Sequence, residues 1–254
     1  MSLRIRAFRA VAVQTFKEGI RERTLYNLFF VTMLLLGAGY LAALLVYGHQ
    51  ERVLLHLGIF VNSLSIYGVA ASAGGKSIRT EVESRTAYLP LVRPVSRSLY
   101  YFGKWSGIVL FLALNLFLLQ GILALGVKFI GGRATLAFWQ AAVLTLSESA
   151  MIAAFSLFLS LFFRAGISMM TALAFLFLSH NHEQLRYLGQ KGESPLFSFL
   201  LQLTPDAQAW LMDTRVYYEQ PLDLREWLVR IGYGLGWALV FLLLGNAVFY
   251  RKNL

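Results

Sequence analysis

Residues 25–47, LYNLFFVTMLLLGAGYLAALLVY, contain no charged side chain. About 20 apolar residues are enough to cross the hydrocarbon core of a bilayer as a helix. The pattern recurs along the chain, with apolar runs at 53–75, 105–127, 137–163, from Ala165 to near Ser179, and at 228–250. Repetition of such runs predicts an all-α integral membrane protein with six transmembrane helices. Composition agrees, because 57% of the 254 residues are hydrophobic and 14% are charged. A water-soluble domain holds roughly one quarter charged residues.

The charges are not spread evenly. If both termini face the cytoplasm, 15 of the 23 Lys and Arg fall on the inner side, in 1–24, in 76–104, at Arg164 and at Arg251–Lys252. Acidic residues gather on the opposite side, in the stretch from Glu183 to Glu226. This asymmetry satisfies the positive-inside rule in one orientation. The net charge of +10 is therefore read as topology rather than as an affinity for nucleic acid. The chain has no cysteine, which excludes disulfides, thiolate metal sites and cysteine nucleophiles.

Residues 3–23 alternate apolar and basic positions. Leu3, Phe8, Val11, Phe16 and Ile20 recur at helical spacing, with Arg4, Arg6, Arg9, Lys17, Glu18, Arg21 and Arg23 between them. An apolar stripe beside a basic face predicts a helix lying in the membrane interface. The link GHQER makes the first two spans a tight hairpin, and Gly131-Gly132 turns the chain between the third and fourth. The fifth run is short for a span and is expected to continue as helix into HNHEQLRYL. Residues 181–227 form a long outer segment, mixed in polarity, whose LFSFLLQL stretch suits a re-entrant or interface-lying helix.

Several polar residues sit inside the apolar runs. Glu148, flanked by Ser147 and Ser149, lies 12 residues beyond Leu136, about 18 Å along the helix and near mid-membrane. A carboxylate at that depth must be protonated, paired or facing water. It is either a site for substrate or a proton, or a hydrogen bond to Ser, Asn or Gln of a neighbouring span. Asn62, Asn115 and Gln120 are read as interhelical hydrogen bonds. His180 and His182, spaced i, i+2, do not share a helical face and have no evident third ligand, so they read as a polar helix end at the outer surface. GGKS at 74–77 matches the end of a phosphate-binding loop, but Ala70 stands at the first glycine position and no buried strand precedes it. No catalytic residue, metal site or bound cofactor is expected.

The insert at 76–104 is the long charged stretch between the second and third apolar runs. TEVESRTAYLPLV mixes charge with Tyr88, Leu89, Leu91 and Val92, a pattern that can present an apolar ridge to a protein groove or lie near anionic headgroups. EVESRTAYLPLVRPVSRSLYYFGKWSG resembles the first cytoplasmic loop of type-2 ATP-binding-cassette (ABC-2) permeases at Glu81, Glu83, Thr86, Arg93, Pro94, Ser96, Arg97, Tyr100, Gly103 and Lys104. Arg85 stands where that family usually has glycine. TFKEGIRERTLY resembles the family's elbow helix at Phe16, Lys17, Glu18, Arg21 and Tyr26, and the end resembles its last span and basic tail.

The resemblance implies one transmembrane permease domain over 1–254, with elbow helix 1–24, coupling helix within 76–104 and extracytoplasmic segment 181–227. It implies a bacterial or archaeal cytoplasmic (inner) membrane and a separate ATPase subunit that binds ATP and Mg. A second permease copy, as a homodimer or with a relative, would complete the transporter, and an extracytoplasmic partner could dock outside. Glu81, Glu83, Thr86, Tyr88, Leu89, Pro90, Arg93, Pro94, Ser96 and Arg97 would form the ATPase-coupling interface. The chain would be a non-enzymatic exporter subunit of undetermined substrate. The alternatives are a membrane anchor that recruits a cytoplasmic factor without transport, and an intramembrane enzyme using Glu148 or the histidines.

Overall fold

The computed structural model describes residues 2–45, 50–78, 96–191 and 204–251. Among them there is no strand. Helices α1 (Ser2–Arg21), α2 (Arg23–Leu44), α3 (Gln50–Ser77), α4 (Arg97–Phe129), α5 (Leu136–Leu159), α6 (Ala165–His180) and α7 (His182–Lys191) follow in order. A 3-10 turn (Ala207–Ala209) and a one-turn helix α8 (Asp213–Tyr217) precede the final helix α9 (Leu224–Arg251). Four helices, α3, α4, α5 and α9, are long and apolar enough to cross a membrane. They point to a membrane protein. Thr32–Leu44 within α2 and Ala165–His180 are apolar but shorter.

Helix α5 is the centre. Of its apolar stretch 78% is buried inside the molecule, against 28% for α9, which lies at the periphery. The sequence explains the difference. Ala137, Ala141, Ala142, Ser147, Ser149, Ala150, Ala153, Ala154 and Ser156 are all buried, and small side chains let neighbouring backbones come close where no water drives association. Helices α3, α4, α6 and α9 pack directly on it. Gly74 and Gly75 of the GGKS stretch belong to this packing. A Cβ on Gly74 would meet Ala153 O at 2.6 Å, and one on Gly75 would meet Ala165 O at 3.1 Å. That stretch is a helical contact face with α5 and α6, and Ser156 Oγ donates to Ala71 O at 2.6 Å beside it.

Helix continues into HNHEQLRYL, as expected, but with a one-residue break: α6 stops at His180, Asn181 leaves helical geometry, and α7 starts afresh at His182. With 16 residues α6 is about 24 Å long, short of the roughly 30 Å hydrocarbon core. Residues 204–223 pack at its end as an irregular strap. Ala207, Trp210, Met212, Val216 and Leu222 of the strap are buried against the bundle. The LFSFLLQL stretch lies outside the described residues.

Irregular backbone packed against an apolar bundle needs partners for those of its N–H and C=O groups that lose contact with water. Here side chains of the helices supply them. Ser179 Oγ donates to Pro205 O at 2.6 Å. The buried Gln140 side chain donates to Leu222 O at 3.0 Å and accepts from Leu222 N at 2.8 Å. Arg230 Nη1 donates to Ala209 O at 3.0 Å, and Tyr233 Oη accepts from Asp206 N at 3.0 Å.

Candidate functional site

Two places concentrate polar chemistry. The first surrounds the two stems of the 76–104 insert. Helix α1 crosses the first turns of α4 at very close range, because α4 offers Gly103 and Gly107 one helical turn apart. A Cβ on Gly107 would lie 2.5 Å from Ala12 O, and one on Gly103 would lie 2.9 Å from Val11 Cγ1. On the α1 side the docking face is Val11, Ala12, Thr15, Phe16 and Gly19. Ala12 and Thr15 are buried, and Phe16 meets Phe111 edge-on at 6.5 Å. The expected hydrophobic stripe is therefore split. Val11 and Phe16 turn to the bundle, whereas Ile20 stays exposed beside Ile5 and Val13.

This crossing brings charge together. Lys104 is 3% exposed, and its Nζ lies 3.1 Å from Glu18 Oε2 of α1. Glu22, at the break between α1 and α2, accepts from Lys76 Nζ at 2.5 Å. Ser96 caps α4 by accepting from Leu99 N at 3.4 Å. Arg97 Nη1 reaches Tyr250 O, in the last turn of α9, at 3.2 Å. Tyr100 stacks on Phe249 of the same turn, with ring centres 6.2 Å apart. Lys17 and Arg21 face outward. The end of α3, the start of α4, the end of α9 and both ends of the α1–α2 break thus form one network. Of the expected coupling residues Ser96 and Arg97 belong to it. Glu81, Glu83, Thr86, Tyr88, Leu89, Pro90, Arg93 and Pro94 lie outside the described residues.

The second place is the middle of the bundle. Glu148 is 1% exposed. Its Oε2 accepts a hydrogen bond from Tyr67 Oη of α3. The hydroxyls of Ser63 and Thr145, 3.4 Å apart, flank that tyrosine. Glu148 Oε1 faces His180 Nδ1 of α6 at 3.6 Å. The His180 ring lies 6.0 Å from that of Tyr67. The carboxylate thus meets a tyrosine and a histidine rather than Ser, Asn or Gln. His180, expected at the outer surface, lies at the level of Glu148 and is 27% exposed at its side chain. The signal for this pairing is in the sequence. Helices α5 and α6 fold back around Arg164, and Glu148 and His180 each lie 16 residues from it. Residues equidistant from a hairpin turn share a depth.

A level away, Asn62 Nδ2 donates to Gln120 Oε1 at 3.1 Å, and Gln120 Nε2 donates to Phe138 O at 3.3 Å. These bonds tie α3, α4 and α5. Asn115 departs from the interhelical reading, since its amide returns to Phe111 O of its own helix at 3.0 Å. Four residues back is the backbone carbonyl that a short polar side chain on a helix reaches most readily.

Comparison with protein-family models and with curated proteins finds no match.

Proposed function

We propose that this chain is the membrane-spanning permease subunit of an ABC exporter, moved by a separate cytoplasmic ATPase that presses on the 76–104 insert. The observation that supports this reading best is the network at the insert's stems. A displacement of the insert acts on Lys76 at the end of α3 and on Ser96 and Arg97 at the start of α4. Glu22, Glu18 and Tyr250 connect those two stems to α1, α2 and α9. One force at the insert would therefore move four spans and the N-terminal helix together. The resemblance of 76–104 to the ABC-2 coupling loop supplies the partner: an ATPase that binds ATP and Mg, with a second permease copy or a relative completing the path. In this reading the chain holds no nucleotide, and the inner membrane orientation follows the basic inner face.

The test is co-purification of the chain with the ATPase it binds, followed by charge reversal in the insert. Glu81→Arg with Glu83→Arg is expected to abolish stimulation of ATP hydrolysis while the protein still inserts and folds. Normal stimulated hydrolysis and transport by that variant refutes the coupling role. A tight cytoplasmic partner lacking a nucleotide site would identify the chain as an anchor instead.

A further inference from the structure

We propose that the free face of α1 binds the headgroups of anionic phospholipids, with Arg6, Arg9, Lys17 and Arg21 meeting the phosphates and making this helix selective for negatively charged lipid. The basis is which face of α1 the bundle uses. Ala12, Thr15 and Gly19 turn to α4, and the apolar side chains of Val11 and Phe16 go with them. A helix lying in the membrane interface normally puts its apolar stripe into the acyl boundary. Here the bundle takes the centre of that stripe, and what stays outside is cationic. Arg6, Arg9, Lys17 and Arg21 are all exposed, and at 3.6 residues per turn they fall within an arc of about 120° opposite Thr15 and Gly19. They extend over about 22 Å of the helix.

Among the described residues no carboxylate pairs with any of these four cations. Glu18 is the acidic residue of α1 and lies at the edge of the face. Its Oε2 is 3.1 Å from Lys104 Nζ, and its Oε1 accepts from Gln14 Nε2 at 3.0 Å, so its charge is engaged sideways by α4. The short side chains of Ala10 and Val13 leave a groove of about 390 Å³ on the free face, lined also by Gln14, Lys17, Glu18 and Arg21. Lys17 and Arg21 stand one turn apart on its rim. An ammonium and a guanidinium so placed can both donate to the oxygens of one phosphodiester, in charge-assisted bonds.

The occupant follows from position. The uncharged run 25–47 begins just past Arg21, and Glu22 beside it pairs with Lys76, which ends the apolar run of α3. Lys17 and Arg21 therefore stand where hydrocarbon gives way to headgroups. Ile5, Val13 and Ile20 are exposed among the cations, and an anionic bilayer surface takes both kinds of side chain at once. An acidic polypeptide would have to reach the same face past the headgroups that border it. Each cation at such a surface is worth about fivefold in affinity. The inference rests on the membrane placement of these helices and needs no ATPase.

The experiment uses the purified full chain in nanodiscs of mixed phosphatidylcholine and phosphatidylglycerol. The chain has no native cysteine, so Ala10→Cys carries a single fluorophore at the groove, and Leu244→Cys, exposed on α9, carries the reference. Quenching by phosphatidylglycerol with a nitroxide near the top of its acyl chain is compared with quenching by phosphatidylcholine carrying the same group. At low salt the Ala10→Cys fluorophore is expected to favour phosphatidylglycerol by about fivefold or more, and the reference to show no preference. Added salt should weaken the preference. Lys17→Gln with Arg21→Gln should remove most of it, whereas Lys17→Arg with Arg21→Lys, which keeps both charges, should preserve it. These side chains point away from α4, so both pairs leave the docking of α1 in place. Equal quenching by the two lipids at Ala10→Cys, the result for a face reserved for an acidic protein segment, overturns the proposal. So does a preference that survives loss of both charges, that vanishes in the charge-keeping swap, or that Leu244→Cys shares.

Discussion

Helix α4 carries two glycines that ask the same question in opposite surroundings. At Gly107 a Cβ would stand 2.5 Å from Ala12 O and 2.7 Å from Thr15 Cβ. At Gly121 nothing lies within 4 Å. Replacing either by alanine gains the helix preference of alanine, up to about 1 kcal/mol. At Gly107 the new methyl meets a backbone oxygen, which no rotamer change can remove. Helix α1 must slide away, and overpacking of that kind costs about 1–3 kcal/mol. The slide also stretches the 3.1 Å Lys104–Glu18 contact one turn earlier on α4. Gly121→Ala is therefore expected to be neutral or stabilising, and Gly107→Ala destabilising, with a gap of about 1–3 kcal/mol between them. Reversible unfolding in mixed micelles, followed by tryptophan fluorescence, measures both in one chain. If the two variants unfold together, the close crossing of α1 over α4 is wrong, and with it the placement of the Lys104–Glu18 pair.

That ion pair is itself asymmetric, with 3% exposure on Lys104 and 48% on Glu18. Lys104→Met leaves Glu18 to water and should cost less than about 1 kcal/mol, as exposed pairs do. Glu18→Ala leaves a buried ammonium without that carboxylate and should cost about 1–3 kcal/mol, so the same unfolding assay should rank Glu18→Ala below Lys104→Met. Gln140→Leu removes both partners of the buried Leu222 amide, at about 1–3 kcal/mol for each group left unsatisfied. Limited proteolysis should then cut within 204–223 while α3, α4 and α5 stay intact, and uncut strap in the folded variant would contradict the role given to Gln140.

The helical class and the apolar runs were legible because they rest on periodicity and length, which belong to one segment at a time. The docking face of α1 was harder. Hydrophobicity picks out Val11 and Phe16, but the contact with α4 also uses Ala12, Thr15 and Gly19, whose value lies in being small. The partner of Glu148 was also hidden. Polar residues on neighbouring helices all compete for it, and the choice of Tyr67 and His180 depends on how α3, α5 and α6 align. The hairpin around Arg164 is a one-dimensional clue to that alignment, since it sets Glu148 and His180 at equal distances from the turn. His180 reads as a surface group from the sequence because the apolar run gives way to polar HNHEQ there. That inference assumes every apolar helix reaches the far interface, and α6 stops short. Six spans follow from counting apolar runs, whereas length and composition of the described helices support four.

The strap and the network around Lys76, Arg97 and Lys104 place different demands on α5. Near its first turns α5 holds irregular backbone through Gln140, and at mid-length Ser147 Oγ donates to Ile231 O of α9 at 3.0 Å. Further along, Ala150 O accepts from Trp105 Nε1 of α4 at 3.0 Å, and Ser156 holds Ala71 O of α3. Each of these bonds has a main-chain carbonyl as acceptor, so the neighbours are held by their backbones or hold that of α5, and side-chain repacking alone cannot release them. Helix α1 stands outside this set and packs on α4. In the proposed coupling reading, a force entering at Lys76, Arg97 and Lys104 would reach α5 through the ends of α3 and α4, at Ser156 and Ala150, before it reached Glu148. The half of α5 nearer the strap is joined to α6, the strap and α9 by Ser147, Gln140 and the Glu148–His180 pair, and of these the pair alone can change its charge.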